Sequence, residues 1–194
     1  MFLHATDDPA PQAIRELGSR VAILRAGTLG EALGWARGLV TTMHADQETL
    51  LALRPALTAF LARGGRWVFN GHVVRPMLAG LGRFVPLVRP SRADLALTAL
   101  APHPVFADIP ISDLEANRGV AGFYGRGHNP PMANAIAITG LGPDHVPVDW
   151  VAPVGQGRLF CHAGNDLGGA GIEQGHAPIL WRRLVDWAAG GPCL

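Results

Sequence analysis

The stretch Gly64-Gly65-Arg66-Trp67-Val68-Phe69-Asn70-Gly71-His72 decides the fold. Two glycines stop whatever precedes them. Three large apolar residues then run without a polar interruption, and a polar turn closes the segment. A helix ends readily at Gly. An uninterrupted apolar strand belongs in a sheet that is covered on both faces. Upstream, Asp46 can cap a helix, and Leu50, Leu51, Leu53, Leu57, Phe60 and Leu61 give an apolar-rich helical run over 47–63. Before that helix lies a further apolar strand, 38–43.

Outward from this unit the pattern repeats. Residues 2–5 and 21–24 read as strands, and 11–17 and 29–36 as short helices. Residues 74–82 read as a short helix and 84–88 as another strand. From about 89 to 150, Pro and Gly are frequent. Tyr124 to Pro131 has no periodicity, while 133–139 and 145–151 read as antiparallel strands near an edge. A strand at 157–162, a Gly-rich loop at 164–175 and a helix at 178–189 complete the chain. The expectation is one α/β domain over 1–194. It is a flavodoxin-like three-layer sandwich with a mainly parallel sheet, and the middle segment adds a small antiparallel β appendage.

Composition excludes several chemistries. The chain has 194 residues and a formal charge of +1, and all sixteen basic residues are Arg. With no Lys there is no P-loop Lys, no kinase Lys and no Schiff-base Lys. The only serines are Ser19, Ser91 and Ser112, and none lies in a nucleophile elbow. Cys161 and Cys193 have no metal-ligand or redox spacing. No basic stripe suggests nucleic acid, and no apolar run is long enough to span a membrane. The N-terminus lacks the regions of a signal peptide, so a cytoplasmic setting is expected.

The order of elements resembles the class I glutamine amidotransferase-like fold, and within it the ThuA-like (trehalose utilisation) branch. The resemblance rests on the strand from Leu39 into Asp46, on Gly64-Gly65 leading into Trp67-Val68-Phe69-Asn70, and on Gly155-Gln156-Gly157-Arg158-Leu159-Phe160. It also rests on the tail Trp187-Ala188-Ala189-Gly190. It covers 37–194 well and 1–36 loosely. The family's catalytic members place a Cys at the elbow, where this chain has Asn70, Gly71 or His72. His162 stands where the family has its triad His. The family's acidic partner would fall at Gly164, with Asp166 the nearest carboxyl beyond it. The resemblance therefore implies loss of glutamine amidotransferase activity, because Asn cannot serve as a thiolate nucleophile.

Ligands of doubly wound sheets bind outside the carboxyl ends of the strands. The residues expected there are His44, Asp46, Asn70, Gly71, His72, His162, Asn165 and Asp166. Tyr124, with Arg126 and His128, is placed as a lid or as a contact with a neighbouring subunit. Arg25 can hold an anion or form a surface ion pair. Cys161 points away from His162 and is expected to be inert. No metal and no cofactor is expected, because no His pair fixes a ligand geometry. The leading expectation is a polar small-molecule pocket, the sugar character being implied only by the resemblance. The alternatives are a His-dependent hydrolase or isomerase, with His162 as base and Asp166 or Asp46 orienting it, and a non-catalytic homodimeric assembly module.

Overall fold

The computed structural model describes residues 1–117 and 119–192, so Cys193 lies outside the described residues. In chain order the strands are β1 (Phe2–Leu3), β2 (Ile23–Leu24), β3 (Gly38–Thr41), β4 (Arg66–Asn70), β5 (Val85–Pro86) and β6 (Leu97–Ala99). They continue with β7 (Ala116–Asn117), β8 (Val120–Ala121), β9 (Gly127–His128), β10 (Ile136–Leu141), β11 (Val146–Val154) and β12 (Gly157–His162). The helices are α1 (Gln12–Arg15), α2 (Leu29–Trp35), α3 (Gln47–Ala52), α4 (Arg54–Ala62) and α5 (Ala177–Ala188).

Eight strands form the central sheet, in the order β2-β1-β3-β4-β12-β11-β10-β6. The first five run parallel, and β11, β10 and β6 extend the sheet antiparallel. The architecture is a flavodoxin-like α/β sandwich. Strands β3 and β4 are buried almost along their whole length because helices cover both faces. One core gathers Phe2, Val40, Val68 and Phe160 under Ile14, Leu180 and Leu184. The other gathers Leu39, Trp67 and Phe69 under Leu33, Leu50, Leu57 and Phe60. The middle segment adds the expected small antiparallel pieces and also feeds the main sheet. It supplies β6 and β10 to the main sheet, and only β5–β9 and β7–β8 form separate two-stranded pieces.

Two helices differ from the sequence expectation. The single helix expected over 47–63 breaks at Leu53, where Pro55 enters the first turn of α4. Proline lacks an N–H and clashes with the carbonyl four residues back, so the first helix cannot run through it. No helix forms over 74–82. The amides that would start it are held by side chains instead: Asn129 Oδ1 accepts from Val73 N at 2.9 Å, and Gln47 Oε1 accepts from Val74 N and Arg75 N at 2.8 and 2.9 Å. Pro76 and the positive φ of Gly80 (82°) then keep the chain irregular.

Candidate functional site

Chain order reverses direction across β1, because β2 adds on one side of it and β3 on the other. The crevice at the carboxyl ends of such strands is where open α/β sheets take ligands. His4 follows β1, Thr42 to His44 follow β3, Gly71 and His72 follow β4, and Asn165 and Asp166 lie just beyond β12.

The elbow after β4 is built around Gly71, whose φ is 112°. That conformation is strained for a residue with a Cβ, and a Cβ here would sit 3.1 Å from Met43 Cα. Asn70 is 1% exposed and committed within the protein. Its Nδ2 donates to Thr41 O at 2.7 Å and its Oδ1 accepts from Leu167 N at 3.0 Å. The elbow thus has neither a thiol nor a following helix whose N-terminus could stabilise developing negative charge.

His162 ends β12 and is 1% exposed. Its carboxyl partner is Asp149, directly opposite on antiparallel β11. His162 Nδ1–H donates to Asp149 Oδ1 at 2.7 Å. Asp149 Oδ2 accepts from the Tyr124 hydroxyl at 2.6 Å and from Thr139 Oγ1. Asp149 is fully buried, and the Tyr124 ring meets the imidazole edge-on at a centroid distance of 4.8 Å. This bonding fixes the tautomer that leaves Nε2 as an acceptor. Burial, and then the neighbouring Asp149, push the Tyr124 phenol well above its ordinary range, so it acts as a fixed donor.

Several expectations are corrected here. Asp166 and Asp46 do not orient His162; Asp149 does. Tyr124 is no lid, being 1% exposed. Asp46 caps α3, accepting from Glu48 N at 3.0 Å and Thr49 Oγ1 at 2.6 Å. Arg25 spends its guanidinium on the carbonyls of His4 and Thr6. The cavities around His103, below Trp35 and beside Leu141 all lie away from Asn70. Asn165 is half-buried and donates to Phe123 O at 2.8 Å.

What the crevice does bring together is Asp166 and a set of histidines. Asp166 Oδ1 accepts from Met43 N at 2.6 Å. Burial pushes its carboxyl above the usual range, against the pull of the Met43 amide and of nearby His44, His162 and His4. His44 is exposed beside it. His72 stacks on Phe84 at 3.6 Å between centroids, and burial followed by His162 lowers its pKa. His4 Nε2–H donates to Asp8 O at 2.5 Å, which leaves Nδ1 as an acceptor. That Nδ1 and Thr42 Oγ1 are buried with no hydrogen-bond partner among the described residues. No group of three or more His, Cys, Asp or Glu among the described residues is arranged to hold a metal ion.

Cys161 projects into the opposite core and takes a hydrogen bond from Asn129 Nδ2 at 3.3 Å. Burial pushes its thiol up, away from the thiolate. Iodoacetamide should therefore leave Cys161 unmodified in the folded protein and alkylate it in urea. Peptide mass mapping checks this, and labelling of native Cys161 would contradict the assignment.

Asp149, Thr139, His4 and Thr42 lie outside the set of residues that the sequence singles out. One signal was available for Asp149: it is the only charge in the strand Val146-Pro-Val-Asp-Trp-Val-Ala-Pro-Val154. A carboxyl in such a strand is seldom buried without partners.

No family model matches the chain, and no curated protein matches it. Solved structures do. A cytoplasmic protein from Salmonella typhimurium LT2 superposes with a TM-score of 0.63 at 12% identity, covering 91% of this chain and 84% of that one. A second cytoplasmic protein from Salmonella typhimurium gives 0.59 at 13% identity over the same shares. A GMP synthase subunit-like protein from Thermoplasma acidophilum gives 0.54 at 10% identity, covering 97% of this chain and 94% of that one. The fold is shared with these three proteins. At these identities the likeness establishes the fold alone. No helix among the described residues is long and apolar enough to cross a membrane.

Proposed function

We propose that the protein is a ThuA-like member of this fold without amidotransferase chemistry. In this reading it binds a small polar metabolite in the crevice at the carboxyl ends of β1, β3, β4 and β12. One observation carries the proposal: His4 Nδ1 and Thr42 Oγ1 lie buried and unpartnered at the strand ends where chain order reverses. Buried polar atoms seldom go unpaired, and a ligand carrying hydroxyl groups would satisfy both an acceptor and a donor–acceptor. Asp166 and His44 border the same ends and suit a polyhydroxylated, sugar-derived molecule.

The test uses Thr42→Val, which removes the hydroxyl and keeps the shape. It should leave stability unchanged or raise it by about 1 kcal/mol, since an unpaired buried hydroxyl is lost. Glucose and trehalose, titrated into labelled protein, should shift the amide resonances of Met43, His44 and Gly71, and Thr42→Val should weaken that response about tenfold. A destabilised Thr42→Val, or no shift at these amides with either sugar, would overturn the proposal.

A second reading is favoured by the Asp149–His162 pair. With Nδ1 fixed, His162 Nε2 is oriented as a general base toward a ligand in the crevice. Under it, His162→Gln abolishes turnover of the bound metabolite while the same amide shifts persist. Loss of the shifts together with turnover would instead assign His162 to binding.

A further inference from the structure

At the other end of the sheet, on the face covered by α5, His103 borders two concavities. Along β12, Arg158 lies four residues before His162, about 13 Å at ordinary strand rise, so this region is separate from the crevice. The smaller cavity, 260 Å³, is lined by Arg158, Asn134, Ile136, Val151, Pro153 and Trp187 as well as His103. The larger, 610 Å³, is an apolar groove walled by Ala101, Phe106, Ile109 and Ile111. No carboxylate among the described residues lines either one.

His103 is 5% exposed, with its ring among Phe160 (5.1 Å), Trp187 (5.9 Å) and Phe106 (6.3 Å). Its Nδ1 accepts from Val105 N at 3.3 Å, so in the neutral ring the proton is on Nε2. Burial holds its pKa down to about 4, which keeps the ring neutral at pH 7. Nε2 is buried with no hydrogen-bond partner among the described residues. The turn that carries it is tied down, because Arg183 donates to the carbonyls of Val105 and Ala107. Turning the ring out to water would break that packing.

The second polar group is Arg158. Its register neighbour Arg66 spends its guanidinium on the carbonyls of Trp187 and Gly191. The Arg158 side chain has no hydrogen bond and no ion pair among the described residues. One neutral N–H donor and one guanidinium without a partner among the described residues thus share a cavity whose remaining walls, Asn134 apart, are apolar. That combination fits a single negative charge on an apolar body. A dianion such as phosphate would lose too much hydration against these walls. We propose that this cavity binds a small monocarboxylic acid, its carboxylate accepting from His103 Nε2–H and Arg158, and its alkyl or aryl body lying along the groove.

Hexanoate is the probe, with hexanamide as its uncharged isostere. Titrated into the full chain at millimolar concentration, hexanoate should move the His103 ring 15N resonances and give a saturable heat. Hexanamide should bind at least about tenfold more weakly, because it loses the charge-assisted bonds. The Arg158 side chain is half-buried and has no bonding partner among the described residues, so Arg158→Gln should fold normally and weaken hexanoate about tenfold. Thr42→Val, at the crevice, should leave hexanoate affinity unchanged, which separates this site from the one proposed above. Equal affinity for acid and amide, an Arg158→Gln protein that binds like the parent, or His103 resonances that stay still at saturation would each overturn the proposal.

Discussion

Asp149→Ala should lower the stability of the folded chain by about 3–5 kcal/mol, roughly the cost of stranding the partners of a buried hydrogen-bonded carboxyl. That carboxyl receives the His162 Nδ1–H, the Tyr124 hydroxyl and the Thr139 hydroxyl, all buried. Removing it leaves those donors without an acceptor and opens a hole between β10, β11 and β12. A domain of ordinary stability has only about 5–15 kcal/mol to lose, so the change is large. Urea unfolding should show a lower midpoint with an unchanged slope. Tyr124→Phe removes one donor and leaves the other two bonds, so it should cost only about 1–2 kcal/mol. Asp149→Asn separates structure from orientation. The amide oxygen can still accept from a hydroxyl, but its NH2 opposes Nδ1–H and drives the imidazole into the other tautomer. Ring 15N shifts of His162 should report that exchange. An Asp149→Ala protein as stable as the parent would mean that the network contributes nothing to the fold.

The same network shows what a sequence can and cannot carry. The parallel half is legible because each of its strands is a short apolar run bounded by Gly or a polar turn. That is a local signal, and Trp67-Val68-Phe69 displays it fully. The break at Leu53 is equally local, since Pro55 stands in the sequence, but the strong apolar period across it masks the stop. The missing helix at 74–82 is local only in part, through Pro76 and Gly80. Its amides are taken by Asn129 and Gln47, the first more than fifty residues away, and nothing in 74–82 announces those partners. His162 is visible because it ends an apolar strand. Its partner is not, because Asp149 meets it only through the antiparallel register of β11 on β12. Tyr124 sits in a Gly-rich stretch with the composition of an exposed loop. It is drawn inside by one hydrogen bond that only the tertiary structure displays. Thr42 and His4 carry no pattern whatever, and their interest lies in bonds they do not make.

Acid should destabilise this protein through His103. In the native state burial depresses its pKa from 6.5 to about 4, outweighing the opposing pull of Asp149. The unfolded chain therefore takes up a proton at a higher pH than the folded one does. Stability from this group is complete above about pH 6.5, falls as the pH drops toward 4, and levels off below it. At about 1.4 kcal/mol per pH unit, the loss over that window is about 3 kcal/mol. His72 and His128 are also lowered by burial and add to the trend with the same sign. Asp166, whose carboxyl is raised, works against it: its contribution is greatest when protonated and declines as the pH rises. His103→Asn isolates the effect. An Asn side chain can still accept from Val105 N and close the turn, but it does not titrate. Urea unfolding measured at pH 7 and again at pH 4 should show the parent losing about 3 kcal/mol more than His103→Asn over the interval. Parallel profiles would show that the imidazole is protonated as easily inside the fold as outside it, and that its ring reaches water by a route the packing around Phe160 and Trp187 does not allow.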